Sequence, residues 1–362
     1  MISVIFSEFI IYLCVSILMG TFILTFVPNN YRPFIYVKKG ILILATVGIA
    51  LFSFMPILRL IFNLQGRIGW QKGFQTVLLT FDIGKAWIFT VFVVFLLLFF
   101  ILRFYHSDQS NYSWIGCLLT LVLILTLSWS SHASSLEQEK GLITHLVHFT
   151  AVSIWIGTLL IVSWFSKNYG NWLMFLRWFT PLAVGCILST VVSGIILMSF
   201  FVDLSHYLYA WTVNYGNFLL IKQLMIISLL AYAAINGIFI RHNLKKDKNF
   251  NPIPWSRVES IVALLIFSIT AAMGQQSPPG GNTSEVYDLS ILFELLYQGE
   301  YYPGADLQFS LNTTSSLLLI IACLFLAMIF YTFYKKQSAM ITILLSILFV
   351  FSSYLAILTS LV

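Results

Sequence analysis

The feature that most constrains this chain is a succession of apolar blocks, each roughly 18 to 25 residues long. A helix of about 20 residues crosses the ~30 Å hydrocarbon core of a bilayer and satisfies its own backbone hydrogen bonds, which lipid cannot do. Only 9% of the 362 residues are charged and 59% are hydrophobic, which leaves too little polar surface for a water-soluble fold. The sequence therefore predicts an all-α, polytopic membrane protein with about ten transmembrane helices.

Short links separate most of the predicted spans, so consecutive helices should be antiparallel neighbours. The exception is the segment 274–314, which holds the turn-forming sequences SPPGGN and YYPGAD and a short amphipathic helix predicted at 291–297. The predicted spans cover residues 5–27, 39–62, 77–102, 113–130, 143–165, 178–201, 216–240, 256–273, 315–334 and 338–361.

Basic residues are concentrated in every second link, and therefore on one side of the predicted bundle. Because Lys and Arg in short links favour the cytoplasm, the basic links predict a multi-pass protein of the cytoplasmic membrane with both termini outside. Arg59, Arg67 and Lys72 break the rule but are outnumbered. Thirteen of the 19 basic residues lie in links 1–2, 3–4, 5–6, 7–8 and 9–10: Arg32, Lys38, Lys39, Arg103, Lys167, Arg177, Arg241, Lys245, Lys246, Lys248, Arg257, Lys335 and Lys336. The outer side carries the acidic residues Glu137, Glu139, Asp203, Glu285, Asp288, Glu294, Glu300 and Asp306.

The same distribution excludes nucleic acid as a partner, because the net charge of +6 is spread between apolar blocks and not over one soluble face. The four cysteines are isolated within or beside apolar blocks, so neither a disulfide framework nor a zinc knuckle is predicted. The chain has no Walker A loop, metal-pump CPC motif, aspartyl-phosphate motif or GxSxG elbow. We therefore expect neither nucleotide hydrolysis nor another enzymatic activity.

Two pairs of segments indicate an internal repeat. Residues 15–21 match residues 152–158 at an offset of 137, and residues 80–84 match residues 212–216 at an offset of 132. These matches predict two four-helix halves in the same orientation, as in transporters built from parallel repeats. The alternative is chance similarity between apolar helices. The predicted domains are an N-terminal four-helix repeat, a second four-helix repeat, an extracytoplasmic segment and a C-terminal helix pair, at 1–141, 142–273, 274–314 and 315–362.

Three histidines should lie together at the outer ends of spans 4 and 5. His145 and His148 are spaced i, i+3 at the start of span 5, and a short hairpin brings His132 to the same surface. Imidazole is the commonest metal ligand, and ionisable groups in a membrane protein are functional candidates by default. The alternative is that these are interfacial histidines with ordinary hydrogen bonds.

Other polar or soft side chains could add to such a site. Met198, Met55 and Met273 lie near outer helix ends, and thioether sulfur with imidazole suits Cu(I), although methionines also serve as ordinary packing residues. His206 lies in outer link 6–7. Elsewhere, Asp82 and Lys85 are spaced to pair, and Lys222 in span 7 could anchor a ligand or simply extend towards the membrane surface.

Several short motifs follow one another along the chain. They are Ile83-Gly84-Lys85-Ala86-Trp87, Ser131-His132-Ala133, the set His148, Trp155 and Gly157, residues 177–183 with Ser193-Gly194, residues 215–222 with 234–236, and Ser277-Pro278-Pro279. In this order they resemble the motifs of the CopD copper-resistance family. The resemblance is good over about residues 130–280 and looser before that. It departs from the family at Gly157-Thr158, where a double glycine is usual, and the chain has no histidine-first CopC β-sandwich.

The resemblance implies copper transport across the cytoplasmic membrane, usually uptake, or copper delivery, with any extracytoplasmic copper-binding protein supplied as a separate chain. Copper would be received by His132, His145 and His148, with Met198 as a further ligand. The alternative is a b-type haem protein for electron transfer, in which two histidines on facing helices hold the haem across an apolar pocket. An assembly or sensing subunit without transport of its own is a third possibility.

Overall fold

The computed structural model describes residues 1–105, 113–203, 207–247, 249–279, 289–297 and 307–362. Fifteen α-helices make up almost all of this described part of the chain, as the apolar composition requires. In chain order they are α1 Ile2–Phe26, α2 Lys39–Phe52, α3 Met55–Ile68, α4 Trp70–Leu79, α5 Asp82–Phe104, α6 Ser113–Trp129, α7 His132–Phe165, α8 Trp172–Phe201, α9 Tyr207–Ala210, α10 Asn214–Ala234, α11 Ile240–Lys246, α12 Ile253–Met273, α13 Ile291–Leu296, α14 Thr313–Tyr334 and α15 Ile341–Leu358.

Each predicted span corresponds to an apolar helix. Within the described ranges, nine helical stretches are long and apolar enough to cross a membrane, counting α2–α3 and α10–α11 as continuous. The remaining predicted span is α6, an apolar helix of 17 residues. The fold is therefore that of a polytopic α-helical membrane protein.

The link between the second and third predicted spans is helical and not a loop. The α2 helix ends at Phe52, ten residues before the predicted boundary, and Pro56 starts α3 in the first turn, where proline is tolerated. The helices α3 and α4 form a hairpin around the buried side chains Ile57, Ile61 and Val77. Arg59, Arg67 and Lys72, the basic residues that break the charge rule, lie on this amphipathic hairpin.

The chain divides into two compact units, residues 1–200 and 201–362. In the first unit, α1 lies against α2, α6 and α7 and contributes much of the core. The closest approach is between Gly20 and Gly157, where a Cβ on Gly20 would stand 2.1 Å from the Gly157 carbonyl oxygen. The two glycines therefore allow direct backbone contact between α1 and α7.

The α8 helix is held to the rest of the first unit at its two ends. Near its start, the indole nitrogen of Trp178 donates to the Tyr31 carbonyl, and Asn171 Nδ2 donates to the Asn29 carbonyl. Pro181 inside the helix removes one backbone donor, a common cause of bending. Near the other end, the Ser193 hydroxyl oxygen lies 3.0 Å from Nδ1 of His148 on α7.

In the second unit, α10 packs against α12 and α15, and α14 packs against α15. Buried polar contacts join these helices: the Tyr232 hydroxyl donates to the Thr342 carbonyl on α15 (2.7 Å), and the Tyr354 hydroxyl donates to Asn217 Oδ1 (2.7 Å). Between α10 and α11 the backbone forms a π-helical turn, Ile235–Phe239.

The segment 274–314 is described in part. The helix predicted at 291–297 is present as α13, with Phe293 buried. Several residues named from the sequence lie outside the described residues, and the YYPGAD turn lies there too: His206, Lys248, Glu285, Asp288, Glu300 and Asp306.

Candidate functional site

The candidate site is built around the first turns of α7. Ser131 caps the helix, its side chain accepting from the Ser134 backbone N–H (3.2 Å). The backbone then leaves helical geometry at Glu137 and Gln138, and Gln138 has a φ of 46°. A Cβ on Gly141 would stand 1.9 Å from the Ala133 carbonyl oxygen, so only glycine allows the first turn to fold back this closely.

This reversal determines where the first predicted ligand lies. His132 occupies the short turn before the break and is exposed. Its neighbour Ala133 lies against Gly141, one helical turn before His145. The hairpin thus brings His132 to the end of α7 that carries the other two histidines.

His145 is half-buried and directed towards α6. Its Nδ1 lies 3.0 Å from the Ser128 hydroxyl oxygen, and its ring meets that of Phe149 edge-on at a centroid distance of 6.0 Å. Phe149 in turn contacts Tyr12 of α1. The imidazole is therefore held between a hydroxyl and an aromatic ring.

His148, one turn deeper, is directed towards α8. Its Nδ1 lies 3.0 Å from the Ser193 hydroxyl oxygen. That hydroxyl donates its hydrogen to the Ser189 carbonyl (2.6 Å), so it accepts from Nδ1–H of His148. With Nδ1 protonated in this way, a neutral imidazole carries its lone pair on Nε2, and that nitrogen is the one able to ligate a metal.

Gly194 and Met198 complete this side of the site. A Cβ on Gly194 would stand 3.4 Å from the His148 ring, so the glycine gives the imidazole room. Met198 follows Gly194 by one turn on the same face of α8, and it is half-buried. The methionines Met55 and Met273 start α3 and end α12, which lie in different compact units.

The four predicted ligands therefore belong to one compact unit and to one end of the α7–α8 pair. Across the described ranges, however, no three His, Cys, Asp or Glu side chains are close enough to hold a metal ion. His145 and His148 are directed to different neighbours, α6 and α8. The arrangement can offer imidazole and thioether groups at a half-exposed surface.

Next to the histidines, an open apolar pocket of about 690 Å³ lies between α6, α7 and α8. Leu125, Ile154 and Cys186 are among its lining residues, and neither a histidine nor a methionine lines it. Pro181 of α8 lies on its wall. A haem in this pocket would lack the His or Met axial ligand that the electron-transfer alternative needs.

Two further polar groups stand apart from the histidines. Lys85 Nζ lies 3.4 Å from Asp82 Oδ1, which confirms the predicted pair, and both side chains are exposed. In the second unit, Glu259 of α12 accepts a hydrogen bond from Asn236 Nδ2 (2.7 Å). The sequence analysis missed Glu259, although a carboxylate inside an apolar block was a signal that could have found it.

Comparison with protein-family models decides the family. Residues 173–273 match copper resistance protein D, and residues 1–142 match the copper resistance protein D-like N-terminal domain. The chain belongs to the CopD family. Membership associates this membrane protein with copper resistance. The boundary of the N-terminal CopD-like domain, residue 142, falls beside the predicted boundary between the two repeats. No curated protein and no solved structure matches the chain.

Proposed function

We propose that this CopD-family protein receives copper at the outer ends of α7 and α8 and moves it across, or delivers it at, the cytoplasmic membrane without nucleotide hydrolysis. The proposed ligands are His132, His145, His148 and Met198. The observation that carries the proposal is the pair of histidines on consecutive turns of α7, each held by a hydroxyl of a different helix. Such partner groups orient metal-ligating histidines and set their tautomer.

The donor set fits copper as the substrate. Imidazole and thioether groups are soft or borderline ligands that copper accepts in either oxidation state, with the thioether favouring Cu(I). The exposed turn that carries His132 would take copper from a separate extracytoplasmic copper-binding protein. Transfer to the half-buried His145 and His148 would follow.

The proposal also includes the parallel repeat. The matched segments 15–21 and 152–158 lie on α1 and α7, and their equivalent glycines, Gly20 and Gly157, touch each other. A two-fold axis along the membrane normal, passing between α1 and α7, would bring equivalent residues together in this way. An experimental structure in which the helices of the two halves are arranged in a different order would contradict this relation.

Metal analysis of the purified protein tests the site. Copper content measured after loading and desalting should fall strongly in His148→Ala, because one imidazole ligand is lost, and more strongly in a His132/His145/His148 triple alanine variant. His242→Ala is the matched control: His242 is exposed on α11, on the predicted cytoplasmic side, and its loss should leave the copper content unchanged.

Equal copper content in the wild type and the triple variant would overturn the site assignment. A visible spectrum of the same preparation separates copper handling from the haem alternative. A Soret band that disappears in His148→Ala would favour haem, and its absence beside bound copper would favour the proposal.

A further inference from the structure

Glu259 is the one charged side chain that is buried within the described ranges, with 2% of its surface exposed. It lies on α12, inside a helix long and apolar enough to span the membrane. No Lys, Arg or His nitrogen in the described part of the chain lies within 4.0 Å of its carboxyl oxygens. An ionised carboxylate without a cation is far more costly to bury than the neutral acid, so this group favours binding a proton.

Its hydrogen-bond partner is placed by an irregular piece of backbone. Asn236 sits in the π-helical turn Ile235–Phe239, between α10 and α11, and is itself 8% exposed. Its Nδ2 donates to Glu259 Oε2 at 2.7 Å and to the Trp255 carbonyl at 3.3 Å. Single π-helical turns inside helices recur at functional sites, because they redirect a side chain at the cost of regular hydrogen bonding.

The amide of Asn236 is only partly used in this arrangement. Its Oδ1 is buried and has no hydrogen-bond partner in the described part of the chain. An amide offers both donors and an acceptor, so rotation by 180° would present Oδ1 to Glu259 in place of Nδ2. The donor suits the carboxylate and the acceptor suits the carboxylic acid, so the pair can satisfy both protonation states of Glu259.

Other ionisable groups around α12 are few. Among the elements packed against α12, α10 carries Tyr215, Lys222 and Tyr232, α15 carries Tyr354, and the π-helical turn carries none. The α14 helix, whose Phe333 ring meets Trp255 of α12, carries Cys323, Tyr331 and Tyr334. Lys222 lies roughly 20 Å from Asn236 along the helix, at 1.5 Å per residue. Tyr232 bonds to α15 and Tyr354 bonds to Asn217. Arg257, on α12 itself, is exposed, and Arg241 on α11 is half-buried.

We propose that Glu259 and Asn236 form a proton-exchange site, and that its occupancy is coupled to copper movement. The carboxylate of Glu259 takes a proton from hydronium on the predicted cytoplasmic side, so that one hydronium O–H bond breaks as the carboxyl O–H bond forms. The acid later returns this proton to a water molecule and regenerates hydronium. The rotation of the Asn236 amide accompanies each step. The coupling rests on the proposed function, since a cation moved without nucleotide hydrolysis needs another driving force. The proton site itself does not depend on that function.

Infrared difference spectroscopy between high and low pH tests the proton site without copper. In wild-type protein in lipid we expect a carboxylic-acid carbonyl band that appears as the pH falls. It should vanish in Glu259→Gln, which keeps the size and hydrogen bonding of the neutral acid. Tyr354→Phe, which removes a buried hydrogen bond in the same unit, should keep the band. An unchanged band in Glu259→Gln would overturn the proposal.

Copper flux into proteoliposomes tests the coupling. Wild-type flux should change at least tenfold when a pH gradient is imposed, and the flux of Glu259→Gln should not respond, while its copper content after loading stays within twofold of wild type. A Glu259→Gln flux that follows the gradient as in wild type would refute the coupling. If the wild type moved no copper under any gradient, the transport function would fail, and the infrared band alone would decide the proton site.

Discussion

At the scale of single residues, two serine hydroxyls give the histidines of α7 their orientation. The Ser193 hydroxyl contacts Nδ1 of His148 and donates its own hydrogen to the Ser189 carbonyl. Replacing the Ser193 hydroxyl removes this contact to Nδ1 of the imidazole. Because partner groups of this kind contribute to metal affinity, the substitution should weaken copper binding although Ser193 itself is no ligand.

We therefore expect Ser193→Ala to lower the affinity for copper by roughly tenfold to 100-fold, measured by competition with a chelator of known affinity. Ser199→Ala is the control, since the exposed Ser199 hydroxyl only donates to the Ile196 carbonyl of its own helix. If Ser193→Ala bound copper as tightly as wild type while His148→Ala lost it, the orienting role would be disproved.

The residues of the candidate site were predictable by type and not by environment. Histidines and methionines near helix ends are few, so the sequence alone was enough to propose His132, His145, His148 and Met198 as ligands, and their role stays a prediction. Serines are common in these apolar helices and carry no such signal, so Ser128 and Ser193 emerge only once helix packing brings them to the rings. Glu259 was not predicted because its proposed role depends on its burial and on its hydrogen bond with Asn236, a residue of another helix.

At the scale of helices, direct backbone contact between α1 and α7 organises the first unit. A Cβ on Gly157 would stand 2.3 Å from the Ser16 carbonyl oxygen, far inside a van der Waals contact. Since the obstacle is backbone and not a flexible side chain, the helices would have to separate, and overpacking of this kind typically costs about 1–3 kcal/mol. Thermal unfolding in detergent should show Gly157→Ala melting below wild type.

A matched glycine serves as the control for this prediction. Gly185 lies within α8, and no atom outside its own helix turn comes within 4 Å of a Cβ built there. Gly185→Ala should leave the melting temperature unchanged or raise it, because alanine in a helix interior is favoured over glycine by about 0.5–1 kcal/mol. Equal melting of Gly157→Ala and Gly185→Ala would show that the α1–α7 contact yields easily.

The helices themselves were predictable because length and apolarity decide membrane spans, and each predicted span corresponds to an apolar helix. The irregular pieces were not. The α3–α4 hairpin continues the apolar pattern past the true end of α2, with only Pro56 as a local signal. Neither the break at Gln138 nor the π-helical turn at 235–239 interrupts the apolar pattern, so local periodicity did not predict them.

At the scale of the whole molecule, the side of the membrane on which each link lies decides what the histidines can meet. The prediction of an outward-facing site rests on the 13 basic residues placed in alternate links, which favour the cytoplasm. The three basic residues that oppose this assignment lie on the α3–α4 hairpin, whose apolar side is buried against its own partner helix. These three opposing charges are outnumbered by the 13 basic residues of the alternate links.

Cysteine labelling with a membrane-impermeant maleimide on spheroplasts tests the orientation. In a background in which the four native cysteines are replaced, Glu294→Cys on α13 should be labelled from outside. Lys246→Cys at the end of α11 should be labelled only after lysis, because Lys245 and Lys246 belong to the basic link that the charge rule places in the cytoplasm. Both positions are exposed, so accessibility within the protein does not bias the comparison. The reverse pattern would place His132, His145 and His148 at the cytoplasmic face. The histidines would then bind copper on the cytoplasmic side of the membrane and would not capture it from outside.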